Sequence, residues 1–215
     1  AARELLPAEL GEALAKLHLA GLDFPMPREN ALSVAGWHKL FNQIASHADD
    51  FQIGLHDFIA AELSFHDHCW PKNLARGIIH ADMFPDNVFF LGNELSGLID
   101  FYFACHDILA YDLAICINAW CFEPDHSFNV TKARAMLNGY MRVRPIPNDE
   151  IAALPILARG AALRFLLTRL VDWLNVPPGA LVRPKDPSEY IRKLRFHQSV
   201  TTIRDYGLDG AGVPA

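Results

Sequence analysis

Residues 77–90, GIIHADMFPDNVFF, set His80, Asp82 and Asn87 in the pattern H-x-D-x-x-x-x-N, on a polar turn between two short β-rich runs. Asp100 follows at the end of a third such run, LSGLID. These are the residue types and spacings that phosphoryl transfer needs. A loop leaving one strand can aim the Asp82 carboxylate at a substrate hydroxyl, and the end of the same loop can offer the Asn87 amide oxygen to a cation. Asp100, on the neighbouring strand, adds a second oxygen ligand of the hard kind that Mg²⁺ prefers. The reaction asks little more of this side of a site than alignment and charge neutralisation. Singly, each residue has a plainer role: Asp82 as a loop cap, Asn87 as a turn residue, Asp100 as a strand-end cap. All three in order, with strand context on both sides, argue for a site. His80 reads as a brace for the loop, because nothing here requires it to take a proton.

The elements that must hold this loop are mostly helical. Pro7 precedes a helix with Leu10, Leu14 and Leu17 on one stripe and Gly21 as terminator. A proline-bearing loop, LDFPMPREN, leads to a helix around 37–44. A longer helix is expected over 49–69, with Phe51, Leu55, Phe58, Ile59, Leu63 and Phe65 on its apolar face and Pro71 just beyond its end. The period then changes to the short runs GIIH, NVFFLG and LSGLID, with GNELSG as a hairpin connection. Helical patterning returns after Asp107, the expected N-cap, through ILAYDLAICINAWCF, TKARAMLNGYM and the run 148–174. A second proline loop, NVPPGALVRPKDP, precedes a last helix over about 188–203, and the tail GLDGAGVPA is expected to fray. The expected fold class is mainly α with a small β-hairpin insert at about 77–100, in one domain spanning 1–215.

Composition narrows the function. Of 215 residues, 51% are apolar and 20% charged, a mix suited to a packed soluble core. The 19 basic and 25 acidic residues leave a net charge of −6, which provides no field for nucleic acid. The apolar run 113–122 is too short to span a membrane, and Arg159, Arg164 and Arg169 interrupt the other apolar region. Cys69, Cys105, Cys116 and Cys121 form no C-x-x-C pair, which fits a reducing cytoplasm and a role as small apolar filler. The pairs His56-Asp57, His66-Asp67 and His106-Asp107 are of the kind used by helical metal-dependent phosphohydrolases, a distant alternative. On one helix, however, His66 and His68 point about 200° apart and cannot easily share an ion.

GIIHADMFPDNVFF, GLIDFYFACHD and YDLA resemble the aminoglycoside phosphotransferase and choline kinase superfamily. HADMFPDNVFF followed by GLIDFYFACHDILAYDLAI is most similar to its bacterial homoserine kinase branch. The resemblance implies the C-terminal lobe of a protein-kinase-like fold, with ATP and Mg²⁺ as cofactors and homoserine as the small-molecule acceptor. It makes Asp82 the catalytic base or hydroxyl-orienting carboxylate and Asn87 and Asp100 the Mg²⁺ ligands, with His80 and Asp112 supporting the loop. Choline, ethanolamine or an aminoglycoside are the alternative acceptors. Ala81 stands where many relatives carry Gly, and Phe101-Tyr102 replaces the Phe-Gly of protein kinases. The family grips its nucleotide on an N-terminal β-rich lobe. With neither a Met start nor a G-x-G-x-x-G loop, this chain is expected to begin after that lobe, as part of a longer protein. An amino-acid acceptor needs a cation for its carboxylate. Arg164 and Arg169 are candidates, although solvent-facing arginines are the plainer reading, as a solvated loop acid is for Asp86.

Overall fold

In the computed structural model, the described residues are 2–25, 28–92, 94–177, 179, 181 and 183–208. The helices are α1 (Ala2–Ala20), α2 (Val34–Ile44), α3 (Ala48–Phe51), α4 (Leu55–Cys69), α5 (Leu109–Trp120), α6 (Val130–Val143), α7 (Asn148–Leu174) and α8 (Ser188–Ser199). Between α4 and α5 lie β1 (Arg76–Ile79), β2 (Val88–Leu91), β3 (Glu94–Leu98) and β4 (Cys105–Ile108). The chain is mainly helical with small antiparallel ladders, as its patterning predicts.

The core forms around α7, whose Leu154, Leu157, Leu163, Leu166, Leu167 and Leu170 are all buried. This helix is long and apolar enough to cross a membrane by length and composition alone, yet most of its apolar window is packed inside the protein. Acidic Asp149 and Glu150 sit in its first turn, where they complement the helix dipole. Helices α1 and α6 pack backbone to backbone. A Cβ added to Gly11 would sit 2.1 Å from the Met136 carbonyl oxygen, and one on Gly139 would sit 2.1 Å from that of Ala8. Each helix therefore needs a residue without a side chain where the other crosses it.

The β segment differs from the expected single insert. GIIH does not join the hairpin: β1 pairs with β4 in the register Ile79↔Cys105, and β2 pairs with β3 in the register Val88↔Leu98. The strands thus extend to Ile108, beyond 77–100. The outer ladder encloses the inner one, so the links 80–87 and 99–104 emerge side by side, and the Ile99 N–H donates to the Asn87 carbonyl at 3.0 Å. This nesting brings Asp82 and Asp100 together.

Four smaller corrections follow. The helix expected over 49–69 is broken between α3 and α4, where Gly54 adopts φ +81°. The first helix runs through Pro7 instead of starting there, and the last α-helix stops at Ser199, with a 3₁₀ turn over Ile203–Tyr206. Asp107 is not the N-cap of α5; that position is Ile108. Buried in β4, Asp107 instead accepts from Asn30 Nδ2 at 2.7 Å and pairs with Arg76 at 3.1 Å. The tail over 209–215 lies outside the described residues.

Candidate active site

The loop after β1 is fixed from beneath by one carboxylate. Asp112, fully buried on α5, accepts the His80 N–H at 2.7 Å on Oδ2 and the Ala81 N–H at 2.8 Å on Oδ1. The His18 imidazole, from α1, donates to Oδ2 at 3.2 Å. Burial pushes the Asp112 carboxyl up, but its bonds to His18 and the loop amide outweigh burial and hold it below the ordinary value. His18 is itself oriented from its other nitrogen, 2.7 Å from the Tyr140 hydroxyl on α6. The network assigns that hydroxyl as donor, since Arg144 Nη1 donates to its oxygen at 3.2 Å.

Ala81 occupies the left-handed region at φ +63°, and Asp100 does so at φ +61°. Such backbone costs a non-glycine residue roughly 1 kcal/mol or more and persists only where the surroundings over-determine it. At Ala81 both backbone groups are held, the N–H by Asp112 and the carbonyl by the Arg164 guanidinium. Arg164 is buried on α7, not solvent-facing as the plainer reading had it. The His80 ring completes the brace: Nε2 bonds the Ile99 carbonyl at 3.0 Å and Nδ1 accepts the Asp82 N–H at 3.3 Å. His80 therefore ties the 80–87 link to the 99–104 link.

Asp82, Asn87 and Asp100 line one open cavity of about 260 Å³, together with Phe84, Asp86, Phe165, Arg169 and Lys185. Asn87 ends a 3₁₀ turn started by Pro85, and its Nδ2 donates to the Asp82 carbonyl at 2.8 Å. Tethering the amide nitrogen leaves Oδ1 as the end available to a cation. Burial raises the Asp82 carboxyl above its ordinary value, although the Arg164 and His80 charges pull the other way. The Asn87 amide oxygen and the Asp100 carboxylate are oxygen donors of the hard kind Mg²⁺ takes.

The other residues singled out in the sequence fall elsewhere. His66 is buried among Trp37, Phe65 and Trp70, where burial lowers its pKa to about 4. Cys105, Cys116 and Cys121 are buried and Cys69 is exposed. Asp86 is exposed and pairs with Lys185 at 3.2 Å. Arg169 is nine-tenths buried and pairs with Glu189 at 2.6 Å, so it too is no free surface arginine. Sequence reasoning missed Lys185 and His18. The first has no readable signal inside its proline loop. The second has one: His18 lies four residues after Leu14, a polar side chain on the apolar stripe of α1.

Residues 1–146 match the model of the phosphotransferase enzyme family, APH. The chain is 71% identical over 208 residues to a protein of Rhodopseudomonas palustris (strain BisA53) named homoserine kinase. It is 69% identical over 209 residues to one of the same name from Bradyrhizobium diazoefficiens. In each case 97% of this chain is covered, and the chain spans 64% of the relative's length. A crystal structure of an aminoglycoside phosphotransferase from Alicyclobacillus acidocaldarius superposes on 95% of the chain and 64% of its own, with a TM-score of 0.60 at 15% identity. The fold is therefore of the aminoglycoside phosphotransferase type, and the chain belongs to the phosphotransferase enzyme family.

Proposed function

We propose that the protein containing this chain is a homoserine kinase. It transfers the γ-phosphoryl group of ATP to the side-chain hydroxyl of L-homoserine, giving O-phospho-L-homoserine for threonine biosynthesis in the cytoplasm. The observation that carries this reading is the convergence of Asp82, Asn87 and Asp100 on one cavity over a rigidly braced loop. Relatives about 70% identical that bear this name supply the acceptor.

In this reading Asp82 orients the acceptor hydroxyl and takes its proton as the oxygen attacks phosphorus. Its raised pKa suits that task, since a base closer to neutrality accepts a proton more readily. Asn87 Oδ1 and the Asp100 carboxylate would hold Mg²⁺, which when bound neutralises charge on the phosphates. His80 and Asp112 are positioning residues that fix the loop's path through backbone N–H groups and the Ile99 carbonyl. The nucleotide-gripping elements belong to the part of the relatives' length outside this span. The test is to offer the full-length protein homoserine, choline, ethanolamine and an aminoglycoside, each with ATP and Mg²⁺. Phosphorylation of homoserine well above the others is expected; preference for any other acceptor would overturn the reading.

A further inference from the structure

Every proposed catalytic group in the 260 Å³ cavity is neutral or acidic, yet one wall of it is cationic. That wall is made by Arg169, from the last third of α7, and Lys185, from the proline-bearing loop before α8. Neither has a partner among Asp82, Asn87 and Asp100. Arg169 uses Nη1 for both of its hydrogen bonds among the described residues, to Glu189 Oε2 at 2.6 Å and the Asp186 carbonyl at 3.1 Å. Its guanidinium lies 4.5 Å from the centre of the Tyr190 ring, which fixes its plane. A nearly buried, pre-oriented guanidinium with donors to spare is a carboxylate receptor, because its fork matches two oxygens at once. Lys185 is exposed and, among the described residues, pairs with the equally exposed Asp86, a weak association in water that is easily exchanged for another anion.

We propose that Arg169 and Lys185 bind the carboxylate of an amino-acid acceptor, and that this cationic wall selects a small zwitterionic alcohol over a purely cationic one. The inference rests on the homoserine reading and deepens it. Charge is the first reason. An aminoglycoside or choline brings no anion to the donors that Arg169 and Lys185 present to the cavity, whereas an α-amino acid does. Size is the second, since about 260 Å³ lies below the ~300–1,000 Å³ that drug-sized ligands occupy. Position is the third: the wall and Asp82 line the same cavity, so a short chain can hold its carboxylate at one and its hydroxyl at the other.

The test compares two acceptors in the full-length protein: homoserine, and 3-aminopropan-1-ol, which is homoserine without its carboxylate. Lys185→Gln changes an exposed loop residue and threatens the fold little; Arg169→Lys keeps the charge but loses the planar fork. Each is expected to raise the KM for homoserine 10- to 100-fold with a smaller effect on kcat, and to change kcat/KM for 3-aminopropan-1-ol less than threefold. Equal effects on the two acceptors, or a homoserine KM within threefold of the parent in both variants, would overturn the carboxylate assignment while leaving the homoserine reading intact. A parent protein that phosphorylates 3-aminopropan-1-ol or choline but not homoserine would overturn both.

Discussion

Asp112→Asn removes one charge and one acceptor from the floor of the catalytic loop without changing shape. In the native protein its two oxygens receive three N–H groups: His80 and His18 on Oδ2, Ala81 on Oδ1. Asparagine has one oxygen and one NH₂. With the nitrogen facing Ala81, one backbone N–H is orphaned in the core, and the two remaining bonds go to a neutral oxygen instead of an anion. With the nitrogen facing Oδ2's partners, two donors are lost, so the first arrangement is the cheaper. An orphaned buried donor costs about 1–3 kcal/mol, and weakening two charge-assisted bonds adds to it, for a total of roughly 2–4 kcal/mol. The pH dependence has a definite sign. The folded Asp112 carboxyl titrates below its unfolded value of 3.8, so its contribution is present above pH 3.8 and is lost as pH falls through the folded value. Urea unfolding of both proteins at pH 6 and near pH 3 therefore should show a midpoint gap that narrows on acidification. The same change frees Ala81 from φ +63° and should lower kcat about 100-fold, since small misplacements of a catalytic loop carry that penalty. An Asp112→Asn protein within about 0.5 kcal/mol of the parent at pH 6 would refute the reasoning, as would a gap independent of pH.

Two further outcomes follow from other parts of the structure. Asp100→Ala should raise the Mg²⁺ concentration for half-maximal activity steeply, and Asn87→Ala less so because it deletes no charge; Mg²⁺ titration of initial rates checks the order, and unchanged titrations would remove both as ligands. Among the described residues His66 has no hydrogen-bond partner at either ring nitrogen, and burial lowers its pKa to about 4 against 6.5 unfolded. Its contribution is complete above pH 6.5 and falls by about 2 kcal/mol by pH 5, because the unfolded chain takes a proton that the core refuses. His66→Phe should flatten that part of the stability curve, measured by denaturant unfolding from pH 8 to 5; an unaltered slope would show that His66 is not its source.

Helix α6 was legible because its apolar residues recur with helical period, and α7 because its apolar run is far longer than any strand. Asp82, Asn87 and Asp100 were legible because their spacing is local and bracketed by β-rich runs. β4 was not: CHDI is four residues long, its two polar members sit among buried neighbours, and its partner Arg76–Ile79 lies some thirty residues back. Arg164 was read as facing solvent because its acceptor, the Ala81 carbonyl, is 83 residues away and carries no sequence signal. Contacts of that range are set by how α7 packs beneath the loop, which periodicity alone does not specify. The same holds for Lys185, whose place in the cavity that Asp82 lines depends on the path of the loop before α8.

The most direct measurement is phosphoryl transfer to homoserine by the full-length protein and its Asp82→Asn variant, with ATP and Mg²⁺, beside their thermal unfolding. The parent should form O-phosphohomoserine, with a rate that falls as pH drops through a value raised from the ordinary one of an aspartate, because Asp82 must be ionised to act. The variant should lose about 10²–10⁴ in kcat. It should also melt no lower than the parent. Burial raises the folded pKa of Asp82, so its ionised form disfavours the folded state at neutral pH, and the neutral amide removes that cost. A well-folded Asp82→Asn protein that phosphorylates homoserine at the parent's rate would contradict the account.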